Sequence, residues 1–207
     1  MENLTIIRHA LIQRNLTALR DRRTSHGEFR RLLHQTAALL AYEVLRDLPV
    51  RPVPIETPLE PTVGYVLDTE VIVVPILRAG LGMVDGFVQY LPEARIGHLG
   101  MYRDEATHRP VDYYAKLPPG LEEAWVILVD PMLATGGSAD DALSALKARG
   151  ARQLRFACLV AAPEGVRRLA DRHPDVRIYA AALDRELNRS AFILPGLGDA
   201  GDRAFGT

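Results

Sequence analysis

The stretch that most constrains the fold is residues 126–138, VILVDPMLATGGS. An unbroken apolar run, 126–129, ends in Asp130, and the glycine pair Gly136 and Gly137 follows it closely. Such a run is typical of a strand that is buried on both faces of a parallel sheet. Paired glycines allow a close backbone approach, and the N-terminus of a helix favours an anion. The stretch therefore predicts a strand, a phosphate-binding loop and a helix. Asp130 lies where a carboxylate could accept hydrogen bonds from ribose hydroxyls.

Further strands and helices alternate along the chain. Apolar runs at 71–76, 153–162 and 176–183 predict strands, and helical periodicity is present at 29–44, 81–91, 138–149 and 163–172. Five prolines between residues 49 and 61 exclude a helix there. The pattern predicts an α/β fold with a doubly wound, mainly parallel sheet flanked by helices. Ligands of such sheets bind at the carboxyl ends of the strands. Arg78, which follows the run at 71–76, is therefore either a ligand of the crevice that contains Asp130 or a surface arginine of a loop.

Composition narrows the function classes. A chain of 207 residues with a net charge of -1 predicts one domain and gives no general attraction to nucleic acid or to an anionic membrane. Cys158 is the only cysteine, and the six histidines lack metal-ligand spacing. No signal segment or membrane-length apolar run is found, so a cytoplasmic protein is expected. Seven arginines within the first 31 residues form either a basic patch or, the favoured interpretation, a solvated face paired with Asp21 and Glu28.

Two further segments are candidates for a role in ligand binding. A polar stretch at 102–118, between two possible strand arms, suggests a hairpin or a mobile flap. In the tail, Gly196, Gly198 and Gly201 match the G-x-G-x-x-G dinucleotide pattern. That motif must open a helix and be followed by a further strand, and only six residues remain after Gly201. We therefore expect this glycine-rich tail to make close backbone contacts with a small flat ligand.

Four segments in this order resemble the uracil phosphoribosyltransferases, which are type I phosphoribosyltransferases. They are PILRAGLGM (75–83), MYRDEATHRP (101–110), VDPMLATGGS (129–138) and PGLGDAGDRAFG (195–206). The general motif for phosphoribosyl pyrophosphate (PRPP) has two acidic residues after the strand, whereas this chain has Pro131 at the second position. That departure is similar to the uracil-specific subfamily. The same departure argues against a mechanism that needs paired carboxylates at this point.

The resemblance implies an enzyme that converts uracil and PRPP to UMP and diphosphate. It also implies Mg²⁺ that is carried mainly by PRPP, a homodimer or homotetramer, and a GTP effector. No nucleic-acid or membrane partner is expected. The implied architecture is a single domain, 1–207, with the type I phosphoribosyltransferase fold. Its core spans about 65–185, and a small hood is formed by the N-terminal segment and about 186–207, beside a flexible flap.

The resemblance also assigns site residues. Asp130 and Arg103 are implied to be catalytic. The implied PRPP ligands are Arg78, Arg103, Asp130, Pro131, Met132, Leu133, Ala134, Thr135, Gly136, Gly137, Ser138 and Asp199. The implied uracil ligands are Ile193, Gly198, Asp199 and Ala200. The roles of Tyr113, Tyr114 and Lys116 stay open. A backbone N–H cannot become an acceptor, so a rigid loop that reads uracil rejects cytosine by leaving polar groups unpaired.

Two other functions remain open at this stage. An RNA-binding regulator on the same fold would need a basic face, which the balanced charge disfavours. An enzyme for a purine or for orotate would need a different base site, and for orotate the tail supplies only Arg203 as an added cation. The sequence shows no dedicated general base, so solvent or the departing diphosphate is expected to deprotonate uracil N1.

Overall fold

The computed structural model describes residues 3–103 and 110–207, and the side chains outside 101–113. The strands are β1 (Leu4–Ile6), β2 (Val50–Glu56), β3 (Pro61–Leu67), β4 (Val71–Pro75), β5 (Arg95–Ile96), β6 (His98–Arg103), β7 (Pro110–Lys116), β8 (Trp125–Val129), β9 (Met132–Leu133), β10 (Gln153–Ala161), β11 (Arg177–Leu183), β12 (Glu186–Leu187) and β13 (Ile193–Leu194). The helices are α1 (Ala10–Arg20), α2 (His26–Val44), α3 (Leu81–Val88), α4 (Gly137–Ala148), α5 (Pro163–Arg172) and α6 (Ala200–Phe205). Within the described residues, no helix combines the length and apolar character needed to cross a membrane.

A seven-stranded sheet forms the centre of the protein. Its order is β1-β11-β10-β8-β4-β5, with β9 beside β10, and its paired strands are parallel. The chain runs from β4 outward to β5 and then returns to β8 on the other side of β4. The direction of winding therefore reverses between β4 and β8, which is the point where open α/β sheets bind ligands. The predicted doubly wound, mainly parallel sheet is confirmed.

Burial on both faces explains why the central strands are apolar throughout. Val73 and Ile127 pack in a core shared with α1, α2, α3 and α6. Their neighbours Ile72 and Val126 point the other way, into a core shared with α4 and α5. Successive strand residues alternate between faces, so both helix layers need apolar side chains from each strand. This packing fixes the carboxyl ends of β4 and β8 side by side.

The structure refines the sequence expectations outside the sheet. The proline-rich segment forms an antiparallel hairpin, β2–β3, on which Leu59 and Tyr65 are exposed. The single strand expected at 95–101 is two: β5 joins the sheet, whereas β6 pairs with β7. Gly97 lies between β5 and β6, where a Cβ would lie 2.6 Å from the Leu117 side chain. Because β6 pairs with β7, the two arms of the hairpin expected at 102–118 are present. Residues 104–109 lie outside the described residues.

Two terminal regions contact each other closely. Arg23 pairs with Asp21 and Arg31 with Glu28, as the sequence indicates. Other N-terminal arginines instead reach residues 184–204. The tail contains β12, β13 and the short helix α6, which the sequence pattern does not predict. β13, which precedes these glycines, pairs antiparallel with β12 outside the central sheet, so the G-x-G-x-x-G spacing does not follow a strand of the parallel sheet as a dinucleotide-binding motif requires.

Candidate active site

The loops after β4 and β8 meet at the reversal point of the sheet. Parallel pairing sets Pro75 opposite Val129, and the Ile76 N–H donates to the Val129 carbonyl at 3.0 Å. Gly80 completes the contact, because a Cβ there would lie 2.6 Å from the Val129 carbonyl oxygen. Glycine is therefore required for the loop that carries Arg78 to lie against the loop that begins at Asp130. The structure brings these two loops to one edge, as the sequence predicts.

The loop after Asp130 is held by the neighbouring strand β10. The Pro131 carbonyl accepts from the Leu159 and Val160 N–H groups at 3.0 and 3.1 Å, and the Leu133 carbonyl accepts from the Ala162 N–H at 2.8 Å. The side chains of Pro131 and Leu133 are buried. These two residues can therefore contribute only backbone atoms to a ligand. Their packing makes the start of the loop rigid.

The end of the same loop forms the N-terminus of α4. Gly136 has φ of 78° and ψ of 1°, a left-handed conformation that suits glycine. The Gly137 N–H donates to the Thr135 hydroxyl at 3.3 Å, while the N-cap residue, Gly136, has no side chain that could cap the helix. Thr135 and Ser138 are exposed. Free N–H groups of a first helical turn and the helix dipole together favour an anion at this point.

A buried acidic residue lies in the first turn of α4, yet its charge is balanced. Asp140 is 4% exposed and accepts from Arg168 at 2.9 Å and from His173 at 3.0 Å. Burial raises the pKa of the Asp140 carboxyl, but the hydrogen bonds from Arg168 and His173 outweigh it and leave the pKa below its ordinary value. The pairing offsets the repulsion that an unpaired carboxylate would exert on a phosphate at this helix end.

A cleft of roughly 300 Å³ opens between Asp130 and the tail. The pKa of Asp130 is raised from 3.8 to about 7. Burial is the largest cause and the negative charge of Asp199 adds to it, while a hydrogen bond from the Met132 N–H acts in the opposite direction. Asp199 also caps α6, because its carboxylate accepts from the Asp202 N–H at 2.9 Å. Seven of the residues predicted for PRPP or uracil line this cleft: Asp130, Met132, Ala134, Ile193, Gly198, Asp199 and Ala200.

The sequence also matches known proteins. The sequence model of the family described as uracil phosphoribosyltransferase matches residues 6–207. The chain belongs to the uracil phosphoribosyltransferase family. It is 60% identical over 207 residues to the uracil phosphoribosyltransferase of Salinibacter ruber, covering 100% of this chain and 99% of that protein. It is 55% identical over 208 residues to that of Pediococcus pentosaceus, covering 100% of both.

Solved structures extend the likeness of this uracil phosphoribosyltransferase family member to its fold. The AQ2163 protein of Aquifex aeolicus is 34% identical with a TM-score of 0.92, covering 99% of this chain and 98% of that one. The purine phosphoribosyltransferase of Pyrococcus horikoshii is 16% identical with a TM-score of 0.51, covering 73% of this chain and 82% of that one. The second likeness bears on the fold alone, and it supports the phosphoribosyltransferase fold expected from the sequence.

Arg78, which was expected to bind PRPP, is not among the described residues that line the cleft. Arg78 is exposed, and its guanidinium is 3.5 Å from the Asp202 carboxylate and 6.0 Å from the centre of the Phe205 ring. The backbone of Arg103 ends β6, but its side chain lies outside the described residues, as does that of Tyr113. Tyr114 and Lys116 are exposed on β7.

The structure adds cleft residues that sequence reasoning missed. They are Ala79, Ser190, Ala191, Phe192 and Gly201. Phe192 gives the clearest signal, because its side chain is 47% exposed although it is a large apolar residue. An exposed aromatic ring beside a cleft offers a flat apolar surface to a ring-shaped ligand. Asn188 shapes this segment, since its side-chain oxygen accepts from the Ser190 and Phe192 N–H groups at 2.9 Å each.

Proposed function

We propose that this protein transfers the phosphoribosyl group of PRPP to uracil, giving UMP and diphosphate. One observation carries the proposal: Asp130 shares a single cleft with Ile193 and residues 198–200 at the reversal point of a parallel sheet. A ribose phosphate needs the Asp130 loop and a small flat base needs the glycine-rich tail, and the two must lie next to each other for the base to reach the ribose. The family membership and the named relatives support the same reaction.

Different residues on the PRPP side of the cleft bind different parts of PRPP. The backbone of residues 133–138 at the start of α4 holds the 5′-phosphate. The ionised Asp130 carboxylate accepts hydrogen bonds from the ribose hydroxyls, and Asp199 lies close to the ribose and phosphates. Arg78 and Arg103 bind the diphosphate group, for which the arginine fork is well suited. These assignments explain why a carboxylate lies beside a phosphate-binding loop.

The reaction breaks the bond between ribose C1′ and the diphosphate oxygen and forms the bond between C1′ and uracil N1. The bonding pair leaves with diphosphate, so positive charge develops on the ribose, as in other oxocarbenium-like displacements. The Asp130 carboxylate stabilises that charge in a partly buried site, where electrostatic effects are large. The uracil N1 proton passes to solvent or to the departing diphosphate. Backbone groups of Ile193, Gly198 and Ala200 orient the base.

The donor set is compatible with Mg²⁺ bound mainly through PRPP. Asp199 is close enough to Asp130 for its negative charge to raise the pKa of Asp130. Mg²⁺ favours one or two carboxylates together with phosphate oxygens and waters. When bound, the ion neutralises charge on the diphosphate. Among the described residues, no group of three or more His, Cys, Asp or Glu side chains forms a candidate metal site.

Further assignments belong to the same proposal. We propose a single domain, 1–207, whose hood consists of the N-terminal segment and about 186–207; contacts between these segments support the hood. A homodimer or homotetramer, a GTP effector and a cytoplasmic location follow from the family resemblance. The exposed apolar side chains of the β2–β3 hairpin, including Leu59 and Tyr65, support self-association. Light scattering at several protein concentrations tests the oligomer.

The decisive assay measures diphosphate release with PRPP, Mg²⁺ and one base at a time. Uracil, cytosine, orotate, hypoxanthine and adenine are compared, each with and without GTP. We expect release with uracil alone. Release with another base would overturn the assignment of residues 193–200 to uracil, while the PRPP site would stand. If no base gives release in either condition, the RNA-binding function is favoured, and filter binding with a salt titration measures it.

A further inference from the structure

Residues 193–200, here called the base loop, are held by two side chains that lie outside the cleft. Arg20 at the end of α1 and Asp184 just after β11 bind each other, and both bind the backbone of Gly196 in the loop. We call these three residues the tail clamp. Neither Arg20 nor Asp184 is among the described residues that line the cleft. Any effect of the clamp on a base must therefore act through the position of the loop.

The charged part of the clamp has favourable geometry. Both terminal nitrogens of Arg20 donate to the Asp184 carboxylate, each at 2.7 Å. The Asp184 side chain is 6% exposed and that of Arg20 is 25% exposed. A paired, fork-like contact in a largely dry place is stronger and more directional than a surface ion pair. The clamp therefore joins α1 rigidly to the end of β11.

The side chains of Arg20 and Asp184 also form hydrogen bonds with both polar backbone groups of Gly196. The Gly196 N–H donates to Asp184 at 2.9 Å, and the Gly196 carbonyl accepts from Arg20 at 2.7 Å. Gly196 has φ of 60°, and a Cβ would overlap the Ile193 carbonyl. The residue is thus fixed in a left-handed conformation in the middle of the base loop. Rotation of either adjoining peptide would break a charge-assisted hydrogen bond.

A second arginine restricts the next peptide. Arg203 on α6 donates to the Leu197 carbonyl at 2.8 Å and to the Asp21 carbonyl at 2.7 Å, and its guanidinium lies 4.5 Å from the centre of the Phe29 ring. The carbonyls of Gly196 and Leu197 are therefore bound to arginines rather than available to a base. Only the other backbone groups of the loop can face the cleft.

We propose that Arg20 and Asp184 are positioning residues for base selection. They hold the base loop so that the backbone of Ile193, Gly198 and Ala200 presents donors and acceptors that uracil satisfies and cytosine leaves unpaired. A loop free to rotate its peptides would accept either pattern. The inference rests on the proposed function, because it assumes that residues 193–200 bind the base.

The test compares Arg20→Lys and Arg20→Met with the matched control Arg31→Lys. Arg31 also pairs with an acidic residue, Glu28, but on the exposed face of α2. Lysine keeps the charge but lacks the fork that reaches Asp184 and Gly196 together. We expect Arg20→Lys to raise the KM for uracil at least tenfold, with the KM for PRPP changed less than twofold. The preference for uracil over cytosine in kcat/KM should fall at least tenfold, and the control should match wild type.

The outcomes separate positioning from stability. If Arg20→Lys keeps the wild-type KM for uracil and the wild-type base preference, the proposal is wrong, even if its melting temperature falls. An equal rise in both KM values would also overturn it, because that result indicates general loosening. Should Arg20→Met fail to fold, Arg20→Lys decides. If wild-type protein uses another base, the proposed function fails, whereas a selective rise in the KM for that base in Arg20→Lys still supports the clamp.

Discussion

Replacing Asp130 with asparagine should make the protein more stable and much less active. The pKa of Asp130 is raised from 3.8 to about 7, chiefly because the carboxyl is buried. Between these two values the folded protein binds a proton that the unfolded chain has lost, so the free energy of unfolding falls as pH rises. Above about pH 7 both states are ionised and this contribution is constant. Asparagine keeps the acceptor for the Met132 N–H but never ionises, so it removes the penalty.

The size of the effect follows from the shift in pKa. From pH 5 to pH 7 the penalty grows by about 1.4 kcal/mol per pH unit, which gives a ceiling of roughly 3 kcal/mol. Asp130 borders an open cleft, and solvent screening reduces that figure, so we expect about 1 to 2 kcal/mol. The stability advantage of Asp130→Asn over wild type should therefore be larger at pH 8 than at pH 5. Turnover should fall at least tenfold, because the neutral amide cannot stabilise positive charge on the ribose.

Urea denaturation at pH 5 and pH 8 measures this difference for wild type and Asp130→Asn. Asp171→Asn is the matched control, since Asp171 is exposed on α5, and its stability difference from wild type should be the same at both pH values. An Asp130→Asn advantage that does not change with pH would show that the pKa of Asp130 is not raised. Near-normal turnover of this variant would remove Asp130 from the mechanism.

Three further results are expected. Gly165→Ala should raise the KM for PRPP at least tenfold in steady-state kinetics, because the new Cβ would lie 2.5 Å from the Ala134 carbonyl oxygen in the loop proposed to bind phosphate. Gly27→Ala, with nothing within 4 Å of its Cβ, should leave that KM unchanged. Gly80→Ala should destabilise the protein by about 1 to 3 kcal/mol in urea denaturation, because its Cβ would lie 2.6 Å from the Val129 carbonyl oxygen, and an unchanged unfolding free energy would contradict the close approach. PRPP binding at pH 6 should release a proton, because Asp130 has a pKa of about 7 and must ionise to accept hydrogen bonds from the ribose hydroxyls. Calorimetry in two buffers of different ionisation enthalpy detects the proton, and equal heats of binding in the two buffers would refute the prediction.

The sequence predicts those elements whose signal is local. Central strands were predictable because burial on two faces requires a continuous apolar run, and Pro163 and Pro174 bracket α5. Strand β9 is two residues long and α6 only six, too short for a periodic pattern to show. The loop order places Asp130 and Arg78 at one edge of the sheet, since parallel strands end together.

Other parts of the site depend on contacts between residues far apart in the sequence. Nothing near Arg20 in the sequence indicates that it binds Asp184 and Gly196, 164 and 176 residues away. The raised pKa of Asp130 likewise depends on burial and on the approach of Asp199. Single-sequence patterns report the neighbours along a helix or strand, so contacts of this kind require the structure.

The pairing of the first helices with the tail has a consequence for synthesis of the chain. Arg203 binds the Leu19 and Asp21 carbonyls across 184 and 182 residues, and Arg30 binds the Ala204 carbonyl across 174. A growing chain can pair most of its central strands, yet these contacts cannot form until residue 204 has been added. The ribosome-bound protein is therefore expected to keep the α1–α2 surface exposed while residues 31–203 are added, and the tail can take its final position only after that.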